Sequence, residues 1–263
     1  MLDWNAAQYL KFSRERTLPA IDLANRIPAV PKERPLKIID IGCGPGNSTQ
    51  VLADRFPGSS VLGVDRSENM IESARNQHPG ITFQTADIPH DLPTLDQDYD
   101  VVFSNACIQW IPNHAELLRG LMSLLKPGGF LAVQTPMNHQ EPIHQIIQEV
   151  TSSDEWKGYF PNPRVFYNLT QEEYFDLLSE LSQDFDLWQT TYFHTMRSHR
   201  DILEWYRSTG LKPYLDVLPE NKKSQFEQVI QKRVEKSYLP QKNGTILFRF
   251  PRFFFLASKP ASI

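Results

Sequence analysis

Cysteine is scarce: Cys43 and Cys107 are the only two in 263 residues. Two thiols build no disulfide framework and offer no paired spacing for a metal. Long apolar runs are also lacking. The longest, Phe253-Phe254-Phe255-Leu256-Ala257, falls far short of the roughly 18 residues that read as a membrane span. The seven histidines never fall in His-Glu-x-x-His spacing. His139 with His144 and His194 with His199 are five apart and do not share a helical face, so no metal is expected. Gly-x-Ser-x-Gly is absent, which leaves a hydrolase nucleophile elbow without support. The opening Met1-Leu2-Asp3-Trp4-Asn5 carries neither a basic segment nor an apolar one for export, and a cytoplasmic location with no membrane association is the expectation.

What is present is enough for a sizeable core, with 40% hydrophobic and 11% aromatic residues. The formal charge is 27 − 31 = −4, but it is uneven. Residues 1–189 carry 14 Lys+Arg against 25 Asp+Glu, whereas 190–263 carry 13 against 6, a balance of +7. The basic residues are scattered and not interleaved with aromatics, so nucleic acid is not an expected partner. Lys222, Lys223, Lys232, Arg233 and Lys236 flank an apolar stripe of Phe226, Val229, Ile230 and Val234, as on a solvated helix.

From 37 to 134 short apolar runs alternate with amphipathic stretches. Lys37–Ile41, Val61–Val64, Thr82–Thr85, Val101–Ser104 and Phe130–Gln134 read as strands, separated by helical segments around Ser48–Arg55, Asn69–Asn76 and Ala115–Leu125. Apolar strands between helices indicate a parallel sheet covered on both faces by right-handed crossovers. Residues 1–28 read as a helix. After Pro142, helical patterns cover about 143–152, 170–181, 199–209 and 222–238, and two strand-like segments, Phe185–Met196 and Arg249–Lys259, suggest an antiparallel pair on the sheet edge.

The strongest local signal is Ile38-Ile39-Asp40-Ile41-Gly42-Cys43-Gly44-Pro45-Gly46-Asn47-Ser48, a buried strand entering a glycine-rich turn and then a helix. Without Cβ atoms such a turn lets a ligand approach the backbone. The spacing is Gly-x-Gly-x-Gly, with Asn at 47, which argues against a dinucleotide pyrophosphate turn. Asp65 ends the next strand nineteen residues after Gly46, where a carboxylate can accept from ribose hydroxyls. Asp87 ends the third strand, placed for an adenine amino group. Either acid could also serve as a helix cap or turn former.

Taken in order, Asp-Ile-Gly-Cys-Gly-Pro-Gly at 40–46, Gly-Val-Asp at 63–65, Ala-Asp-Ile at 86–88, Tyr-Asp-Val-Val-Phe-Ser-Asn-Ala at 99–106 and Leu-Lys-Pro-Gly-Gly at 125–129 resemble the motifs of class I methyltransferases that use S-adenosylmethionine. A closer resemblance extends to the trans-aconitate 2-methyltransferase family. It is carried by Asp-Trp-Asn at 3–5, Tyr9 with Glu15-Arg16, Gly-Pro-Gly-Asn-Ser-Thr at 44–49, Asn-Ala-x-x-Gln-Trp at 105–110, and Gln-Thr-Pro-Met-Asn at 134–138 followed by Glu141-Pro142. Thr-Thr-Tyr-Phe-His at 190–194, Ser-His at 198–199, Thr-Gly-Leu at 209–211 and Phe-Pro-Arg-Phe at 250–253 continue it, and it is thinnest over 151–170.

The resemblance implies an α/β fold in one domain spanning 1–263. Its parts would be a doubly wound, seven-stranded Rossmann-like methyltransferase sheet, an N-terminal helix over 1–28, a cofactor-binding core over 37–134 and a helical cap insertion over 197–245. It implies S-adenosyl-L-methionine as cofactor, with Gly42, Gly44, Gly46, Asp65, Asp87, Ile88, Asn105 and Arg16 as its binding residues. The expected reaction is methyl transfer to a carboxylate of trans-aconitate or a related tricarboxylate. At neutral pH a carboxylate, with a pKa near ~4, is already the nucleophile, so no general base is required. Arginine forks and aromatic or imidazole donors suit the remaining carboxylates. Trp110, Tyr192, His194, Arg197, Trp205 and Arg252 are the candidates, and Arg16, Arg164 and Arg200 are further arginines in similar settings. Each of these side chains could instead be structural. A different acid acceptor, free or carrier-linked, and a non-catalytic nucleoside-binding module on the same fold are the alternatives. No obligate protein partner is evident.

Overall fold

The computed structural model describes residues 13–28, 34–161, 165–207 and 209–261. Asp3, Trp4, Asn5, Tyr9 and Arg164, with the side chains of Glu15 and Arg16, lie outside what is described. So does the first part of the helix expected over 1–28, whose described part is Ser13–Arg26 (α1).

Seven strands form one mixed sheet: β1 (Lys37–Ile41), β2 (Ser60–Asp65), β3 (Thr82–Thr85), β4 (Tyr99–Asn105), β5 (Leu125–Pro136), β6 (Phe185–Met196) and β7 (Ile246–Ser258), in the order β3-β2-β1-β4-β5-β7-β6. The first five pair in parallel, and β7 runs antiparallel to β5. Ile38, Ile39, Val64, Val101, Val102 and Phe103 are buried at the centre, as strands without polar alternation must be when helices cover both faces. As expected, the two late strands are neighbours at one edge of the sheet. The strand antiparallel to β5 is internal, and β6 alone forms the edge. Burial explains this: Phe253, Phe254, Phe255 and Ala257 of β7 are all buried, whereas β6 alternates with Asp186, Gln189, Thr191 and Thr195 and stays half-exposed over much of its length.

The helices are α2 (Asn47–Arg55), α3 (Glu68–Gln77), α4 (His114–Ser123), α5 (Pro142–Ser152), α6 (Gln171–Leu181), α7 (His199–Arg207), α8 (Lys212–Val217) and α9 (Glu220–Ser237). Local chemistry sets their starts. Ser67 caps α3 by accepting from the Met70 N–H, and Thr170 with Glu173 closes a reciprocal capping box on α6. At the N-terminal end of β4, buried Asp100 accepts from both terminal nitrogens of Arg34 at 2.9 and 2.8 Å and from the Lys37 N–H at 2.8 Å, and it pairs with Lys126. Burial alone would raise its pKa. The Arg34 and Lys126 partners hold the carboxyl below the usual range instead.

The chain divides into two compact units. One comprises Met137–Val165 and Thr191–Pro251; the other comprises Asp3–Pro136, Phe166–Thr190 and Arg252–Ile263. Segment 197–245 falls wholly within the first, as do α5 and Trp156. There the Trp156 and Phe226 rings meet edge to face at 5.0 Å. Arg207 grips Glu227 with two nitrogens at 2.6 and 2.7 Å and Glu204 with a third at 2.6 Å, tying α7 to α9. No described helix is long and apolar enough to cross a membrane.

Candidate active site

The turn after β1 is held open by its own backbone. The N–H groups of Gly42 and Cys43 both donate to the Val64 carbonyl, at 2.8 and 3.0 Å. Gly42, Gly44 and Gly46 take φ of +73°, +54° and +93°, conformations that side-chain-bearing residues adopt at a penalty. A Cβ on Gly42 would collide with the Cys107 side chain, whereas one on Gly44 would find nothing within 4 Å. The turn is therefore packed from below at Gly42 and empty above Gly44. Neither thiol is poised as a thiolate. Burial, with the nearby Asp65 and Asp40 charges, pushes Cys107 up to about 12, and burial also raises Cys43 far above its ordinary range.

Three acids lie at or just beyond the C-terminal ends of β1, β2 and β3. Asp65, at the end of β2, accepts from the Gly44 N–H at 3.0 Å and the Ser67 N–H at 2.9 Å. It ties the glycine turn to the start of α3, and each carboxylate oxygen retains a second lone pair. Burial raises its pKa despite those two bonds. Asp87 is exposed beyond β3; its N–H donates to Asp91 at 2.7 Å, and Ile88 beside it is buried. Asp40 carries no role among the sequence expectations. It is fully buried, and its Oδ2 accepts from the Ser48 and Thr49 hydroxyls at 2.6 and 2.8 Å. Its Oδ1 has no partner among the described residues, and neither has the buried Oδ1 of Asn47 at the start of α2. A polar residue inside Ile38-Ile39-Asp40-Ile41 was the available signal. Unpartnered acceptors beside an empty glycine turn fit a ligand that brings N–H or O–H donors.

The strand ends supply the neighbouring wall. Asn105 closes β4, and its Oδ1 is buried without a partner. Ala106 follows at φ +55°, pinned by its N–H to the Gln134 carbonyl at 2.9 Å. The loop continues to Trp110, whose ring lies 4.8 Å from that of Phe166. Arg252, at the β7 position paired with Pro136, is only 6% exposed, and its Nη1 donates to Gln134 Oε1 at 3.4 Å. Behind the loop, Tyr174 Oη lies 2.7 Å from His114 Nδ1, and His114 Nε2 lies 2.9 Å from the Ile108 carbonyl. A carbonyl only accepts, so Nε2 carries the proton and Nδ1 accepts from the tyrosine.

The other expected acid-binding residues belong to the first unit. His194 is buried with its ring 4.9 Å from Trp205, and Trp205 is 2% exposed, packed also on Phe250 at 5.6 Å. Tyr192 is half-buried on β6, and Arg197 is exposed, its N–H donating to Asp201 at 3.0 Å at the start of α7. Among the described residues no group of three or more His, Cys, Asp or Glu is placed to hold a metal.

Comparison with known proteins bears on this arrangement. The methyltransferase-domain family matches residues 32–182. The trans-aconitate 2-methyltransferase of Acidovorax sp. (strain JS42) is 42% identical over 262 residues, covering 98% of this chain and 99% of that protein. The chain belongs to the trans-aconitate 2-methyltransferase family. The Escherichia coli (strain K12 / DH10B) enzyme of that name is 41% identical over 259 residues, again across 98% and 99% of the two chains. In fold, phosphoethanolamine N-methyltransferase 2 of Haemonchus contortus, solved with S-adenosylhomocysteine, superimposes with a TM-score of 0.55 at 20% identity, over 94% of this chain and 53% of that one. Family membership makes the chain a class I methyltransferase that uses S-adenosylmethionine.

Proposed function

We propose that the protein transfers the methyl group of S-adenosylmethionine to a carboxylate of trans-aconitate or a closely related tricarboxylate, giving a monomethyl ester. The observation that carries the reading is the near full-length identity with enzymes named for that reaction, which includes segments outside the shared methyltransferase core.

Residue by residue, Gly42, Gly44 and Gly46 would form the floor under the cofactor. Asp65 would accept from the ribose hydroxyls with its second lone pairs, and Asp87 with Ile88 would receive the adenine. Asn105 lines the methyl-transfer position, and Arg16 from α1 completes the set. Asp40 joins them as a buried acceptor suited to the ammonium of the cofactor's amino-acid end. The sulfonium supplies an electron-poor methyl carbon. The protein's part is to hold the acid with one carboxylate oxygen roughly 3 Å from that carbon and opposite the leaving sulfur. The attacking carboxylate needs no proton removed, so the residues bind and orient, and no side chain acts as a base. Arg252 and Trp110 on the strand-end wall are candidates for holding the rest of the acid; Tyr192, His194, Arg197 and Trp205 are candidates by their own chemistry as donors and rings. Guanidinium forks match carboxylates in two points, and the +7 balance of 190–263 favours an anion.

The test is incubation of the purified protein with S-adenosylmethionine and trans-aconitate, read by mass spectrometry for a product heavier by one methylene. Asp65→Ala serves as control. An ester that vanishes in the control supports the reading. Retained S-adenosylhomocysteine binding with no ester from any tricarboxylate refutes it.

A further inference from the structure

Gln134 is fully buried near the C-terminal end of β5, paired in register with Asn105 of β4 and Phe254 of β7. Its neighbours along the strand, Leu131, Ala132 and Val133, are apolar and equally buried, so packing alone would be served better by an apolar side chain. The orientation of its carboxamide is fixed by chemistry. Arg252 Nη1 lies 3.4 Å from Oε1, and a guanidinium only donates, so the amide oxygen must face Arg252 and the NH2 must point elsewhere. That Nε2 has no acceptor among the described residues, and Asn105 Oδ1, on the strand-paired residue, is left without a donor as well. The two do not satisfy one another. A buried amide donor without an acceptor is disfavoured by folding and is kept where a ligand completes it.

We propose that Gln134 is a specificity-determining residue, its NH2 donating to a non-reacting carboxylate of the acid substrate that Arg252 also holds. The inference rests on the methyl-transfer reading above. Two donor groups on one wall, one charged and one neutral, match the two oxygens of a carboxylate. Because the second donor is neutral, the pair binds that carboxylate without adding a further full positive charge near the attacking one. A clamp of this kind favours di- and tricarboxylates over acids with a single carboxylate. The main chain of the same residue pins Ala106, so the clamp and the loop after β4 are set by one residue.

The test compares wild type with Gln134→Glu and Gln134→Met on trans-aconitate and on the three unsaturated dicarboxylates that each lack one of its carboxylates. KM, kcat and S-adenosylhomocysteine affinity are measured for each. Q134E still accepts from Arg252 but sets an anion against the substrate carboxylate. Q134M keeps the bulk and removes the donors. A hydrogen bond to a charged group is worth about a 10- to 100-fold change in binding. Both variants should therefore raise KM for trans-aconitate about 10-fold or more, with S-adenosylhomocysteine affinity within about twofold. On the dicarboxylate lacking the clamped group, variant and wild type should converge. If Q134E fails to fold, Q134M carries the same comparison. An unchanged KM in a folded variant, or a loss shared equally with S-adenosylhomocysteine binding, overturns the proposal. A wild type that methylates none of these acids overturns the underlying reading instead.

Discussion

Replacing Asp40 by Asn separates what the carboxylate costs the fold from what it supplies to the site. Asp40 is fully buried, and burial, with a smaller push from the Asp65 charge, lifts its pKa from an ordinary 3.8 to about 6 against the pull of the Ser48 and Thr49 hydroxyls. The difference, 6 − 3.8, is about 2.2 pH units, which at 1.36 kcal/mol each is about 3 kcal/mol. The folded carboxyl holds its proton more tightly than the unfolded one. Its contribution to stability is therefore fully present below about pH 4 and is lost as pH rises through about 6. Asparagine is neutral throughout. The stability of Asp40→Asn relative to wild type should then grow with pH, to roughly half its full value at pH 5 and to a ceiling of about 3 kcal/mol by pH 7.5. With an unfolding entropy of about 0.5 kcal/mol/K for a chain of this size, the ceiling corresponds to about 5 °C in Tm. Thermal unfolding at pH 5, 6 and 7.5 measures the trend. Titration with S-adenosylhomocysteine should show the more stable variant binding about 10-fold more weakly, since a charge-assisted acceptor is gone. A Tm difference that does not change with pH, or a variant less stable than wild type at pH 7.5, would refute the reasoning.

Two further substitutions probe the turn and the loop behind the site. Gly44→Ala sits at φ +54° with empty space around its Cβ. It should fold at a cost of about 1 kcal/mol yet lose S-adenosylmethionine binding by about 30-fold or more, seen by calorimetry beside a melting curve; undiminished binding would mean that the space above Gly44 is not the ligand's. Tyr174→Phe removes the donor to His114 Nδ1 and should cost about 1–3 kcal/mol in urea unfolding at pH 7.5. Burial lowers the His114 pKa, so the stability tied to neutral His114 is present above about pH 6.5 and declines as pH falls. His114→Gln should flatten that decline.

The cofactor half of the fold was legible because its signals are local. Each of β1, β2 and β4 is an apolar run ended by a turn former, and an acid at 65 after a glycine turn at 42–46 needs no long-range information to be noticed. Even so, the cap and the proposed ribose contact are compatible at Asp65: it holds the turn through Gly44 and Ser67, and lone pairs remain on both oxygens. Asp40 is inconspicuous beside the glycines, although one acid within an isoleucine strand is itself anomalous. Strand order was less legible. That β7 inserts between β5 and β6 depends on which strand is apolar on both faces, a comparison of Phe253–Ala257 with Asp186, Gln189 and Thr191 that the alternation pattern does contain. The six-residue helix Lys212–Val217 is too short for periodicity to register and carries Pro213 in its first turn, where proline is tolerated.

The acid-binding half resists sequence reading for a different reason, visible in two tryptophans. Trp110 and Trp205 both stand in family-like surroundings, and each was a candidate for contact with the acid. Trp110 is half-buried on the loop after the β4 terminus, with its ring against Phe166. Trp205 is 2% exposed on α7 among His194, Phe248 and Phe250. A ring enclosed to that degree packs the imidazole of His194 beside it, whereas a half-exposed ring leaves surface that a ligand could cover. The difference is one of surroundings at equal composition, and Phe166, Phe248 and Phe250, which do much to make it, lie more than forty positions away along the chain. Gln134 repeats the lesson in polar form: quoted within Gln-Thr-Pro-Met-Asn it is a motif letter, and only the Arg252 contact across β5 and β7 turns its amide nitrogen into a donor awaiting a carboxylate.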